Sequence, residues 1–333
     1  MTGILTKVRF ERLPGRWVRR IRRRYNDQCV NIITYHRMGA DRTVLDGSGP
    51  VHHPAEFERQ IEYLASQYNI ISLDRLLDSM ERNDVPPRSV VITFDDGYAD
   101  ALRRAMPVLY RRRIPMTVFL TTSIVANRDL LWQHKLNWLL AHGHGPRVDD
   151  ALLAHGFPCR LENETLSNFV RRCFRPDLGQ ILESVLNSVG QSGPALASRL
   201  RPYVEVEDIA QADPEFVTFG NHTVTHPILS ALSCEQQRCE MQTARDEILS
   251  LTGRFPIAFA YPFGQKHHYD ANSKRIAQET WHRAALDMRR RSNVGVSDPF
   301  DLSRKPAPTG SQRLFEQMIE DWPDLRHTAT RDD

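Results

Sequence analysis

Between residues 30 and 125 the chain alternates short, wholly apolar runs with segments of helical period, and few architectures accept that rhythm. "VNIITYH" (30–36), "NIISL" (69–73), "SVVITF" (89–94) and "PMTVFLTT" (115–122) lack the polar alternation of a half-exposed strand. Such runs suit a sheet covered on both faces. "HPAEFERQIEYLASQY" (53–68), with Phe57, Ile61 and Leu64 on one stripe, reads as a helix between strands, as do "LDRLLDSMER" and "YADALRRAMPVLYRRR". In the last of these, Pro107 marks a kink or a late start. Strand, crossover helix and strand in succession build a parallel sheet.

The rhythm stops from about 127 to 212, where helical segments such as "DLLWQHKLNWLLAHG", closed by Gly143, follow one another with Gly and Pro interruptions. It resumes with strand "EFVTFGNH" (215–222), a helix over 234–253, strand "IAFAYPFG" (257–264), a helix over 270–281 and strand "RAALDM" (283–288). The prediction is an α/β fold: an irregular (β/α) barrel of about seven parallel strands with a largely helical insertion. Residues 1–28 would form a basic N-terminal arm, 29–310 the barrel with its insertion at about 127–212, and 311–333 a C-terminal helix and tail.

Net charge is +3, but residues 1–25 alone carry nine Lys/Arg against one Glu, a local +8, so the remainder sums to −5. With Ile4, Leu5, Val8, Phe10, Trp17 and Ile21 interleaved, that arm suits either a solvated helix or peripheral contact with an anionic membrane. The acidic remainder and the lack of a nucleic-acid motif argue against nucleic-acid binding. No apolar run approaches a membrane span, and the first residues contain no uninterrupted apolar stretch of the secretory kind. Five cysteines, none in a CxxC pair, fit a reducing compartment. A cytoplasmic location, peripheral at the inner membrane face, is the expectation.

In a (β/α) barrel the chemistry collects at the C-terminal ends of strands. There "VVITFDDGYAD" places Asp95 and Asp96 side by side, "GNHTVTHP" holds His222 and His226, and His36 ends the first strand. Two adjacent carboxylates repel, and each resists losing water, so a cation is needed nearby. Histidines at i and i+4 share a face if they lie on a helical turn, and with one carboxylate they make a two-His, one-Asp site for zinc with open positions. Gly97 frees the backbone to turn both carboxylates into one pocket. His52 and His53 precede a helix and could cap it or line the rim, while His267 and His268 read as loop histidines. Trp132, His134 and Trp138 on the inserted helix are core residues or a sugar-stacking wall.

"TFDDG" followed by "HTVTHP" resembles the polysaccharide deacetylases, the metal-dependent carbohydrate esterase group built on the NodB homology domain, over residues 30–125 and 215–310. The resemblance implies that Asp95 is the general base, that Asp96, His222 and His226 bind one divalent metal ion, zinc, and that Thr223 supports their loop. The third family element reads Arg-Pro-Pro-Tyr/Phe-Gly; here it is "AYPFG". Ala260 therefore stands where the arginine that orients the base would be, Tyr261 replaces the first proline, and Phe263 would give a backbone N–H to the oxyanion. No late Leu-x-His element occurs near 295–310. "TYHRM" (34–38) resembles the N-terminal Tyr-His element of the branch containing the poly-N-acetylglucosamine deacetylases, which implies that His36 is the general acid. "DPFDLSRKP" (298–306) resembles a late element of that branch, so Arg304 would take the place left by Ala260 and hold Asp95.

The activity so implied is hydrolysis of an N-acetyl group, a non-peptide carbon–nitrogen bond, on a sugar in a polysaccharide, oligosaccharide or lipid-linked glycan, releasing acetate. Two other readings of the same residues are an amide or O-acetyl ester hydrolase with a non-carbohydrate substrate, and a catalytically silent glycan-binding module.

Overall fold

Seven parallel strands close into a barrel: Cys29–Tyr35, Ser89–Phe94, Met116–Leu120, Val217–Asn221, Ala258–Ala260, Ala284–Asp287 and Leu302–Pro306. They pair in chain order, and the ring closes where the first strand lies between the second and the seventh, Ile32 opposite both Val91 and Arg304. This computed structural model describes Asp27, residues 29–294 and residues 298–320, so the basic arm of residues 1–25 and the tail from 321 onward lie outside the described residues. Among the described residues no helix is long and apolar enough to cross a membrane.

The strand count matches the sequence reading, but the membership differs at one place. Asn69–Ile70 is a two-residue strand at the flank of Ser89–Phe94 and takes no part in closing the ring. The seventh barrel strand is Leu302–Pro306, whose sequence "LSRKP" carries two cations and a proline and so has no strand signature. Its polar side chains are buried because the interior supplies partners: Arg304 meets Asp95, and Lys305 Nζ donates to Asn31 Oδ1 at 2.9 Å. Tertiary partners, not local propensity, make this segment a strand.

Strands buried along their whole length explain the apolar runs. One set of side chains, with Ile32, Val91, Phe119, Ala260 and Leu286, forms one apolar cluster, and the alternating set, with Ile33, Ile92 and Phe94, packs on Phe57, Ile61 and Leu64 of the helix Pro54–Gln67. His53 caps that helix, its Nδ1 accepting the Ala55 N–H at 3.2 Å. The helix Gln312–Glu320 lies against it, with Phe315 buried and Tyr63 donating to Glu320 at 2.7 Å. After the second strand, Ala101–Ala105 forms a π-turn that passes into the short helix Met106–Tyr110. Pro107 lacks the N–H that an α-helical bond would need, and Met106 N–H reaches back five residues to Ala101.

Between the third and fourth strands, six short helices from Trp132 to Ala210 build a second apolar core around Leu139, Leu152, Phe169, Leu182 and Leu186. Trp132 and Trp138 are both buried in it, so they are packing residues and form no exposed stacking wall.

Close packing leaves no room at Gly220 of the fourth strand, directly opposite Phe119 in the register. A Cβ there would sit 2.4 Å from two ring carbons of the fully buried Phe119. Gly220→Ala should therefore destabilise the fold by about 1–3 kcal/mol, read as a lower urea midpoint at unchanged slope; an unchanged midpoint would show that the barrel wall is loosely packed here.

Candidate active site

The chain leaves the second strand through "DDG", and the backbone shows why those residue types stand there. Asp95 still belongs to the sheet, its N–H bonded to the Tyr35 carbonyl at 3.0 Å. Asp96 and Gly97 then both turn into the left-handed region, at φ +68° and +75°. Aspartate tolerates that conformation better than most residues and glycine tolerates it freely. The reversal separates the two carboxylates, so that each faces a different partner.

Asp95 faces Arg304. The guanidinium donates from Nη1 to Oδ1 at 2.5 Å and from Nη2 to Oδ2 at 2.8 Å, and Arg304 is 0% exposed. Arg304 also donates to the Thr34 hydroxyl at 3.2 Å and lies over the Phe119 ring. Burial pushes the Asp95 carboxyl up, but the charges of Arg304, His222 and His36 outweigh it and hold the group below its usual range. His36 stands at the rim, its side chain 29% exposed and its Nε2 3.7 Å from Asp95 Oδ2.

Asp96 faces the two histidines. Its buried Oδ1 lies 3.5 Å from His222 Nε2 and 3.3 Å from His226 Nε2 and has no hydrogen-bond partner. All three candidate ligand atoms lie within 4.8 Å of one another. His222 Nδ1 sits 2.8 Å from the Ala260 carbonyl, an acceptor that fixes the proton on Nδ1 and turns the Nε2 lone pair to Asp96. Gln133 Nε2 lies 2.6 Å from His226 Nδ1 while its buried Oε1 has no partner; exchanging the two amide atoms lets the oxygen accept the Nδ1 proton and leaves the His226 Nε2 lone pair free. Burial lowers His226 to about 3, a neutral imidazole. At His222 burial also pushes down, but Asp95 and Asp96 together raise it, so a positive charge is favoured at this point. One carboxylate oxygen and two imidazole nitrogens, buried, convergent and supported from behind, fit a divalent ion such as zinc.

The histidine pair does not sit on a helical turn. His222 and His226 belong to an irregular loop after the fourth strand, with Thr223 at φ +69° and His226 at φ +58°. Four anchors impose that shape. Thr223 N–H bonds Asn221 Oδ1 at 2.9 Å, and the Thr223 hydroxyl accepts the His226 N–H at 3.0 Å. Glu240, reaching in from the helix Cys234–Thr252, accepts the N–H groups of Val224 and Thr225 at 2.8 and 2.9 Å. Trp132 donates its indole N–H to the His226 carbonyl at 3.0 Å. The structure brings together the pair that the i, i+4 spacing singled out, but on a loop and not on a helical turn.

The remaining sequence candidates separate. Phe263, at φ +59°, lines the cleft, its ring 4.7 Å from the His226 ring. Tyr261 does not: its ring is buried in a cluster with Phe259 and Ile276 and stacks on Tyr269 at 4.0 Å, so its side chain supports the wall from outside the cleft. His268 is buried and accepts the Gln265 N–H, and His52 packs edge-on against Tyr35.

The cleft has a volume of about 440 Å³, with Asp95, Asp96, His36, His222 and His226 in its wall. The inserted helices supply residues that the sequence did not single out. Fully buried Tyr203 accepts the Leu131 N–H at 3.0 Å, and its hydroxyl lies 2.5 Å from His134 Nδ1. Its own proton has no other acceptor among the described residues and so goes to Nδ1. Burial holds His134 neutral, near 4, which leaves its proton on Nε2, 2.8 Å from the Tyr98 hydroxyl. Tyr98 lines the cleft.

Asn221, the loop's anchor, is itself held by Met241 O at 2.7 Å and by His282 Nε2 at 3.1 Å. An amide N–H pointing at Nε2 requires a neutral imidazole, and burial lowers His282 to about 4. The unfolded chain binds that proton near pH 6.5, so stability is complete above that value and is lost as pH falls toward 4. Replacing His282 by Gln should flatten the decline of the urea midpoint between pH 6.5 and 4.5; an unaltered decline would remove His282 from the account.

The polysaccharide deacetylase family description matches residues 82–151 and 200–285. A curated relative, the poly-beta-1,6-N-acetyl-D-glucosamine N-deacetylase of Staphylococcus epidermidis, is 29% identical over 127 residues, a match that takes in 35% of this chain and 43% of that protein's length. Among solved structures, the Streptococcus pyogenes deacetylase PplD in complex with acetate superposes with a TM-score of 0.58 at 15% identity, covering 88% of this chain and 99% of that one. IcaB from Ammonifex degensii superposes at 0.56 and 15% identity, covering 88% and 96%. Those two likenesses speak to the fold; the matched residues include Asp95, Asp96, His222 and His226. The chain belongs to the polysaccharide deacetylase family.

Proposed function

We propose that the protein is a metal-dependent deacetylase that removes the N-acetyl group from an N-acetylated sugar, of the N-acetylglucosamine type, in a glycan or glycolipid. The observation that carries this reading is the division of labour between neighbouring carboxylates. Asp96 Oδ1 is unpartnered and converges with two imidazole nitrogens, whereas both oxygens of Asp95 are gripped by Arg304. A divalent ion at the first group supplies Lewis acidity and a water of lowered pKa when bound.

The chain's own residues do the rest. Asp95, ionised and fixed by the guanidinium fork, is a base that accepts the proton of the attacking water. Arg304 holds its two oxygens in one orientation and keeps it in the anionic form. His36, at the rim beside Asp95 and partly open to solvent, gives a proton to the departing amine nitrogen. The C–N bond breaks as the amine takes that proton, leaving acetate and an amino sugar. Phe263 lines the cleft, and its backbone N–H is the donor this reading assigns to the acetyl oxygen as it acquires charge.

Acetate release from N-acetylglucosamine oligomers tests the reading. Activity should vanish with a strong chelator and return with zinc. Asp95→Asn should lower kcat by about 10²- to 10⁴-fold and His36→Ala by about 10²-fold. Arg304→Lys keeps the charge but loses the fork and should cost about 10- to 100-fold. Glycan binding without acetate release under several divalent metals would make the protein a binding module. Turnover of simple esters or non-sugar amides in preference to sugars would move the substrate class.

A further inference from the structure

Nearly every charge on the cleft wall has a partner. Arg37 is paired with Asp46 and Asp100 and Asp95 with Arg304, while Asp96 faces the two histidines. Arg171 and Arg290 differ: both line the cleft, and neither has a carboxylate within ion-pair distance among the described residues. Arg171 lies in the last turn of the helix Leu166–Arg172, and its guanidinium sits 5.6 Å from the centre of the Phe263 ring. That ring lies 4.7 Å from His226, so the cation is no further from the metal ligands than those two distances end to end. Its neighbour Arg172 is neutralised by Glu164. Arg290 stands between Arg289 and Arg291, which share Asp287 and Asp301. At φ +62° Arg290 has a strained backbone, and it is the member of the trio that faces the cleft.

We propose that Arg171 and Arg290 form an anion subsite, so that the substrate is an N-acetylated sugar carrying a phosphate beside the reacting residue. This rests on the deacetylase reading and narrows its substrate class. Two guanidiniums from different segments converge on one cleft and attract phosphate more strongly than a neutral sugar. The test compares acetate release from N-acetylglucosamine, N-acetylglucosamine 1-phosphate and a lipid-diphosphate-linked N-acetylglucosamine. The phosphorylated substrates should exceed the neutral one in kcat/KM by on the order of 10-fold. Arg171→Gln and Arg290→Gln should each erode that preference, lowering kcat/KM for the phosphorylated sugars more than for the neutral one. Preference for the lipid-linked arm alone identifies a headgroup as the source; equal preference identifies the phosphate itself. Equal kcat/KM for neutral and charged sugars, or equal losses on both in the Gln variants, would overturn the subsite. If no sugar releases acetate, calorimetric binding of N-acetylglucosamine 1-phosphate to the wild type and the two variants still decides this proposal separately from the deacetylase reading.

The hydroxyl chain described above carries an independent assignment. With Tyr203 donating to His134 and His134 donating to Tyr98, the Tyr98 proton has no acceptor among the described residues, and Tyr98 lines the cleft. We infer that Tyr98 donates a hydrogen bond to the bound sugar, with His134 and Tyr203 as positioning residues. Tyr98→Phe keeps the ring and should lower kcat/KM on the order of 10-fold, with Tm and zinc content unchanged. Tyr203→Phe should lower kcat/KM less, because it acts on the sugar only through the His134 tautomer, and it should lower Tm as well, because the buried Leu131 N–H loses its acceptor. In the Tyr98→Phe background it should lower kcat/KM no further. Undiminished kcat/KM in Tyr98→Phe, or additive losses in the double variant, would overturn the assignment.

Discussion

A guanidinium with no solvent contact, threaded into a barrel and locked on one aspartate, is the constraint on which the rest of this site depends. Burying either charge alone costs several kcal/mol. The pair is tolerable because both carboxylate oxygens are met by fork donors and because Thr34 takes a further N–H. Once Asp95 is committed to Arg304, the adjacent Asp96 is free for another cation. The left-handed turn at Asp96 and Gly97 keeps the two requirements apart in space.

The same logic explains the loop that carries His222 and His226. A loop at a barrel mouth has no ladder to satisfy its backbone, so each polar group needs an individual partner. Asn221, Glu240 and Trp132 provide them from the strand, the following long helix and the insertion. The helices between the third and fourth strands therefore help to shape the site directly: Gln133 backs His226, and His134 orders Tyr98. Charge left over after these pairings is what points to the kind of substrate the cleft accepts.

Much of this was legible in the sequence, in two ways. Apolar runs and helical periods revealed the alternation, because burial on both faces leaves a plain signal in "SVVITF" and "VNIITYH". Motif residue types revealed Asp95, Asp96, His222 and His226, and the departure at Ala260 led to Arg304. What stayed hidden shares one cause. "LSRKP" is a strand only because Asp95 and Asn31 wait inside for its cations. Gln133, Tyr98, His134, Tyr203, Glu240 and Asn221 matter through partners 15 to 93 residues away or through a turn geometry that spacing alone does not encode. Tyr261 misled because its motif position is at the rim while its ring points into the packing behind.

The most direct test of the division between the two aspartates is metal content by elemental analysis of protein purified and dialysed against zinc. The account predicts about one zinc per chain in the wild type, the same in Asp95→Asn, and almost none in Asp96→Asn. Loss of zinc from Asp95→Asn, or retention in Asp96→Asn, would contradict it.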